Sequence, residues 1–199
     1  VQGLKRAQEL SEPGDRRWVV ATGTLVDVLV SQADGVAAAV PLLEEAHRLG
    51  IETDQHLKHL SVVIVSRVQA AFVRRAVQAM HTGFIARAEE IVLRLLETYP
   101  RQREARLVLA EIRAAQNEFG EAFRLFSEVE ADTEVVSPQD IWSCSQLLEA
   151  IRTLDVPCPQ CGSPLLSDTM SCHICGTQLS VHQLLSERYG LSALATEQA

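Results

Sequence analysis

Through most of the first 155 residues apolar positions return every three or four, the 3.6-residue period of amphipathic helices rather than the strict alternation of strands. Four segments carry it most clearly: Gly35 to Leu49, Gly83 to Pro100, Arg103 to Ala115 and Asn117 to Glu130. In the second, Ala88, Ile91, Val92 and Leu95 form one stripe, and Pro100 stops the helix. Between the first two, Leu57, Leu60, Ile64 and Val68 keep helical spacing behind Asp54, a helix cap. The β-branched run Val62 to Val65 suits a buried strand, but nothing else in the chain offers a strand to pair with it. One long helix ending at Gly83 is predicted. Further on, Ser137-Pro138-Gln139-Asp140 combines a serine cap, a proline at the first helical position and an acid three residues after the cap. A helix is expected from there to about Thr153, burying Ile141, Leu147, Leu148 and Ile151, with Cys144 as a small core residue.

Aligning the segments exposes a repeat. Gly83 and Asn117, Ala88 and Ala122, and Val92 and Phe126 are each 34 residues apart. Upstream, Ala39, Leu43 and Ala46 stand in the positions of Ala88, Val92 and Leu95, with about 15 extra residues between the units. From Val20 to Glu130 the chain resembles the tetratricopeptide repeat family. The matching residues are Ala39, Ala88 and Ala122 for the small residue of the second helix, Phe126 for its large apolar residue and Pro100 for the terminal proline. The Trp-x-x-Leu-Gly-x-x-Tyr signature of that family is replaced here by Phe72, Arg75, Ala76 and Ala79. The resemblance implies an all-α solenoid of helical hairpins with a peptide-binding concave face. In that register Val73, Val77, Met80, Leu107 and Glu111 face the groove, while Arg74 and Arg75 are candidates to receive an acidic peptide or a phosphate.

At 199 residues and 47% apolar composition, the chain is long enough to bury a core. Its net charge of −8 argues against generic binding of nucleic acid or anionic lipid, because both attractions rest on Lys and Arg meeting phosphates. No apolar run approaches the roughly 20 residues of a membrane-spanning helix. The acidity is concentrated: Ala114 to Asp155 holds two basic and nine acidic residues.

Residues 156 to 180, VPCPQCGSPLLSDTMSCHICGTQLS, hold four of the five cysteines and no Lys, Arg or Glu. Cys158 and Cys161 are two residues apart, as are Cys172 and Cys175, and ten residues separate the pairs. Two such pairs can offer four thiolates to one tetrahedral zinc ion, each from a tight knuckle. The halves are copies offset by 14: Cys158-Pro-Gln-Cys161-Gly162-Ser-Pro-Leu165 and Cys172-His-Ile-Cys175-Gly176-Thr-Gln-Leu179. Gly162 and Gly176 suit the left-handed backbone after a knuckle, and Leu165 and Leu179 a minimal core. The pattern resembles the zinc-ribbon or rubredoxin-knuckle class. A module of about 25 residues needs metal to fold, so one structural Zn2+ per chain is expected at Cys158, Cys161, Cys172 and Cys175. The uncharged surface, with Pro159, Pro164, Leu166, Met170 and Ile174, fits docking on protein, the chain's own helices or a partner.

Phosphate loops, nucleophile elbows and a His-Glu-x-x-His motif are absent from the sequence, and His56, His59 and His173 read as surface residues. The expected organisation is a helical repeat domain over 1–155, a zinc ribbon over 156–180, and a short helix at Val181 to Tyr189 followed by a tail. The expected function is non-catalytic: a scaffold or adaptor that binds protein partners, with no nucleic acid and no membrane insertion. Thiolate ligands favour a reducing, cytoplasmic compartment. Two rival readings stand beside it, a thiol-redox or metal-handling protein using the Cys-x-x-Cys pairs, and a regulatory module cut from a larger enzyme. The second is suggested by Val1 in place of Met.

Overall fold

The computed structural model describes residues 2–32, 35–51, 54–131, 136–154, 156–165 and 171–178. Eight α-helices dominate them: α1 Gln2–Glu9, α2 Arg16–Val30, α3 Gly35–Arg48, α4 Gln55–His81, α5 Ile85–Thr98, α6 Arg103–Ala115, α7 Phe119–Ala131 and α8 Ile141–Thr153. Extended backbone pairs among the described residues only as isolated bridges, Pro157 with Pro164 and Ser171 with Gln178. The run from Val62 to Val65 lies inside α4, so the long helix and not the strand is what forms. Helix starts follow local chemistry. The N–H of Trp18 donates to Asp15 Oδ1 at 2.6 Å and that of Leu57 to Asp54 Oδ1 at 3.0 Å, each filling a carboxylate with an otherwise orphaned donor. Before α8, the Ser137 N–H donates to Asp140 Oδ2 at 2.8 Å across a single 3₁₀ turn, Pro138–Asp140.

The chain forms two compact units. The first is built from Val1–Ala70 and Val135–Ala150, the second from Ala71–Glu134 and Ile151–Ala199, so α4 and α8 each contribute to both. The predicted segment Val181 to Tyr189 and the tail lie outside the described residues.

In the first unit α1 packs on α2 and α2 on α3. Leu25, Val26, Ala39, Leu43, Leu57 and Ile64 are fully buried. Contact is tight at Gly35, where an added Cβ would lie 1.7 Å from the Leu29 carbonyl oxygen. His47 is buried, its Nε2 3.2 Å from Ser61 Oγ, with the Trp142 ring edge-on at 6.1 Å between centroids. Ser145 donates to Glu44 Oε1 at 2.7 Å, a second tie between α3 and α8. Of the residues expected to be buried by α8, Ile141 and Leu147 are, as is Cys144, whereas Leu148 and Ile151 are only half-buried.

In the second unit α5 packs on α6 and α6 on α7, with Ala88 and Ala122 buried in their helices. The 34-residue offset is present bond for bond. Gly83 and Asn117 both have positive φ, 86° and 67°. The N–H of Phe84 donates to Ala79 O at 2.9 Å, and that of Glu118, 34 residues on, to Arg113 O at 2.9 Å. Ala88 N–H to Phe84 O and Ala122 N–H to Glu118 O repeat the match in the next turn. These bonds satisfy the last carbonyls of one helix while turning the chain into the next.

One expected equivalence breaks. Val92 is buried, but Phe126 is 40% exposed, and Phe119 and Phe123 on the same face of α7 are 66% and 74% exposed. The matching face of α5 carries Ile85, Glu89 and Val92, and Glu89 is covered by α6: Arg113 Nη2 reaches its Oε1 at 2.7 Å and Gln116 Nε2 its Oε2 at 2.8 Å. The helix α7 ends the 34-residue run, and its equivalent face is open and aromatic.

Candidate metal centre

Each cysteine pair is held by the same small scaffold. In the first copy, the N–H of Cys158 donates to Ser163 O at 2.8 Å, that of Gly162 to Cys158 O at 2.9 Å, and that of Leu165 to Val156 O at 2.8 Å. In the second, Cys172 N–H donates to Thr177 O at 2.9 Å and Gly176 N–H to Cys172 O at 2.8 Å. Gly162 and Gly176 have φ of 73° and 71°, the left-handed turn that lets the chain double back beneath the sulfurs.

The two knuckles bring all four thiols together. Cys158 Sγ lies 3.7 Å from Cys175 Sγ, and Cys161 Sγ 3.6 Å from Cys172 Sγ, with the four sulfurs within 4.8 Å of one another. A tetrahedral ion with metal–sulfur bonds of about 2.3 Å sets sulfur–sulfur edges of about 3.8 Å. Donor type, number and spacing therefore fit a single metal ion. The arrangement is near two-fold: the first cysteine of each pair, Cys158 and Cys172, is buried, and the second, Cys161 and Cys175, is exposed.

Hydroxyl groups follow the same symmetry, which the sequence copies contained but did not reveal as a role. Thr177 Oγ1 lies 3.1 Å from Cys175 Sγ; hydrogen bonding from its side chain, then its backbone, brings the Cys175 thiol pKa down to about 6. Ser163, the residue 14 positions earlier, lowers Cys161 in the same way. Burial pushes the Cys158 thiol up to about 11. A metal ion binds thiolates, so the hydroxyls would assist at the two exposed ligands, Cys161 and Cys175, while burial opposes deprotonation at Cys158.

Leu165 is 2% exposed, and the linker residues Leu154 and Val156 are buried with it; Leu179 lies outside the described residues, as do Leu166 and Met170. Pro159, Pro164, His173 and Ile174 stay exposed.

The candidate partner residues scatter. Val73, Val77 and Leu107 are half-buried, Arg74 and Glu111 exposed, and Met80 buried. Desolvation raises the Glu111 carboxyl pKa even though the residue as a whole keeps solvent contact. Arg75 is 4% exposed and points inward: its Nη1 donates to Leu165 O and to Gln78 Oε1, both at 2.7 Å, and its Nε to Leu154 O at 3.2 Å. His56 and His59 are exposed, with His56 Nε2 3.0 Å from Asp27 Oδ2.

No helix among the described residues is long and apolar enough to cross a membrane. No family model matches the chain, and no curated protein or solved structure matches it either.

Proposed function

We propose that this protein is a non-catalytic scaffold or adaptor, built from tetratricopeptide-like helical hairpins and completed by a structural zinc ribbon. The reading is carried by the α7 face. Phe119, Phe123 and Phe126 recur at spacings of four and three, line one side of the helix and remain exposed. A contiguous aromatic stripe of this kind is a hallmark of a protein-docking surface. The 34-residue equivalence supports a helical occupant: on α5 the same face meets α6 through Arg113, so the α7 stripe suits an amphipathic helix of a partner. The partner helix would be basic on its flanks, because residues 114 to 155 are strongly acidic.

Four thiolates complete a tetrahedron and leave no position for water or substrate, which supports a structural zinc rather than a catalytic one. The half-buried and exposed candidates Val73, Val77, Leu107, Glu111 and Arg74 serve in this reading as a second, concave docking face.

The test is recovery of partners from the source organism's lysate by wild type and by Phe119→Ser/Phe123→Ser, each checked for unchanged helical content and metal load. Specific partners lost only with the double variant support the proposal. Identical recovery by both proteins, or turnover of a small-molecule thiol substrate by the metal-free form, sinks it in favour of the redox reading.

A further inference from the structure

A buried guanidinium ties the cysteine module to the helices. Arg75 projects from α4, with its Nη1 on the carbonyl of Leu165 and its Nε on the carbonyl of Leu154. Those carbonyls belong to the two chain segments at the base of the first knuckle. Leu154 precedes Val156, and Val156 O accepts the N–H of Leu165, closing the bridge between Pro157 and Pro164 that carries Cys158 and Cys161. Gln78, one turn along α4, accepts from the same Nη1 and fixes the fork's direction. The Thr153 carbonyl is reached from α5 by Arg87 Nη2 at 3.4 Å. One rigid planar donor thus spans the incoming and the outgoing chain of the knuckle.

We infer that Arg75 is a positioning residue of the metal centre, holding the first knuckle in its ligating shape so that metal binding and packing of the α4 end are one linked equilibrium. The inference rests on the metal reading above. A guanidinium fork offers several donors in fixed geometry, so it fits the two carbonyls only while the knuckle is closed. The ion closes the knuckle by gathering Cys158 and Cys161 with the second pair. Whatever Arg75 contributes to the closed knuckle raises metal affinity, and by reciprocity the bound ion stabilises the helix that carries Arg75. Outer groups that orient ligands in this way are worth about 10- to 100-fold in metal affinity when removed.

The experiment compares wild type, Arg75→Ala and Arg75→Lys for metal content, for zinc affinity against a chromophoric chelator, and for the helical melt with and without chelation. Arg75→Ala is expected to bind one ion per chain with affinity reduced about 10- to 100-fold. In that variant chelation no longer shifts the helical melt, whereas it lowers the melt of wild type. Arg75→Lys keeps the charge without the fork and recovers only part of the affinity. Should Arg75→Ala fail to fold, amide hydrogen exchange on the wild type answers the same question, with chelation expected to accelerate exchange over 71–81 as well as in the knuckles. Metal bound with unchanged affinity and an unchanged chelation shift, or knuckles that open while 71–81 stays protected, overturns this inference alone. Wild type that binds no metal overturns it together with the metal reading.

Discussion

Gly83 and Asn117 occupy the same left-handed turn between successive helices, 34 residues apart, and the amide that follows each one donates to the carbonyl five residues before it. The turn is a backbone requirement, and glycine meets it at less cost than asparagine. Asn117→Gly is expected to be neutral or slightly stabilising, while Asn117→Ala and Gly83→Ala each cost about 1 kcal/mol. Urea unfolding followed by helical circular dichroism checks all three; an Asn117→Ala variant as stable as wild type would show that the turn relaxes to negative φ.

Gly35 and Gly23 separate two kinds of close contact. A Cβ at Gly35 meets the backbone carbonyl of Leu29, which cannot move without dragging α2, whereas a Cβ at Gly23 meets the ring of His56, an exposed side chain that can swing aside. Gly35→Ala is therefore expected to cost about 1–3 kcal/mol by overpacking, and Gly23→Ala clearly less. Equal midpoints for the two variants in the same denaturant titration would refute the distinction.

The helices α3 to α7 could be read from the chain through their helical spacing and the 34-residue repeat, and α6 occupies the predicted Arg103–Ala115. The preceding helix α2 carries the same period, burying Trp18, Ala21, Thr22, Leu25, Val26 and Leu29 at spacings of three and four, but it stands outside the aligned units that drew attention to the others. The four metal ligands were legible because two-residue spacing is itself the geometry of a knuckle. Arg75 was not, since an Arg-Arg pair in mid-helix looks like solvated charge, and its acceptor Leu165 lies 90 residues away. Phe126 stands where Val92 does in the 34-residue alignment, and the sequence carries no mark that its face of α7 is exposed.

Loss of any one thiolate opens the tetrahedron. Cys161→Ser and Cys172→Ser are expected to lose stoichiometric metal while keeping most of the helical signal, as measured by elemental analysis beside far-ultraviolet circular dichroism. With metal bound, thiol reagents should label the knuckles slowly. Chelation should release four fast-reacting thiols, leaving the buried Cys144 protected until the helices unfold. Rapid labelling of all four before chelation would contradict metal ligation.

His81 ends α4, and burial lowers its pKa below the usual 6.5, so the folded chain keeps the ring neutral where the unfolded chain protonates it. Its contribution to the pH dependence follows from that sign: stability is full above about pH 6.5 and is lost progressively as pH falls toward the lower folded value. His81→Gln should flatten the decline between pH 6.5 and 5 relative to wild type in matched urea titrations. Parallel curves for the two proteins would assign the acid sensitivity to other groups.

Chain order adds a consequence for biosynthesis. The first unit takes its last segment, including Trp142 and Ser145, from beyond the helices of the second. A ribosome emits α5, α6 and α7 before the residues that meet His47 and Glu44. The N-terminal unit must wait unfinished while α5, α6 and α7 are made, the second unit is completed only by residues after 150, and neither unit can be excised by a single cut. A nascent chain stalled before residue 135 holds an exposed half-core, the state on which a chaperone would act.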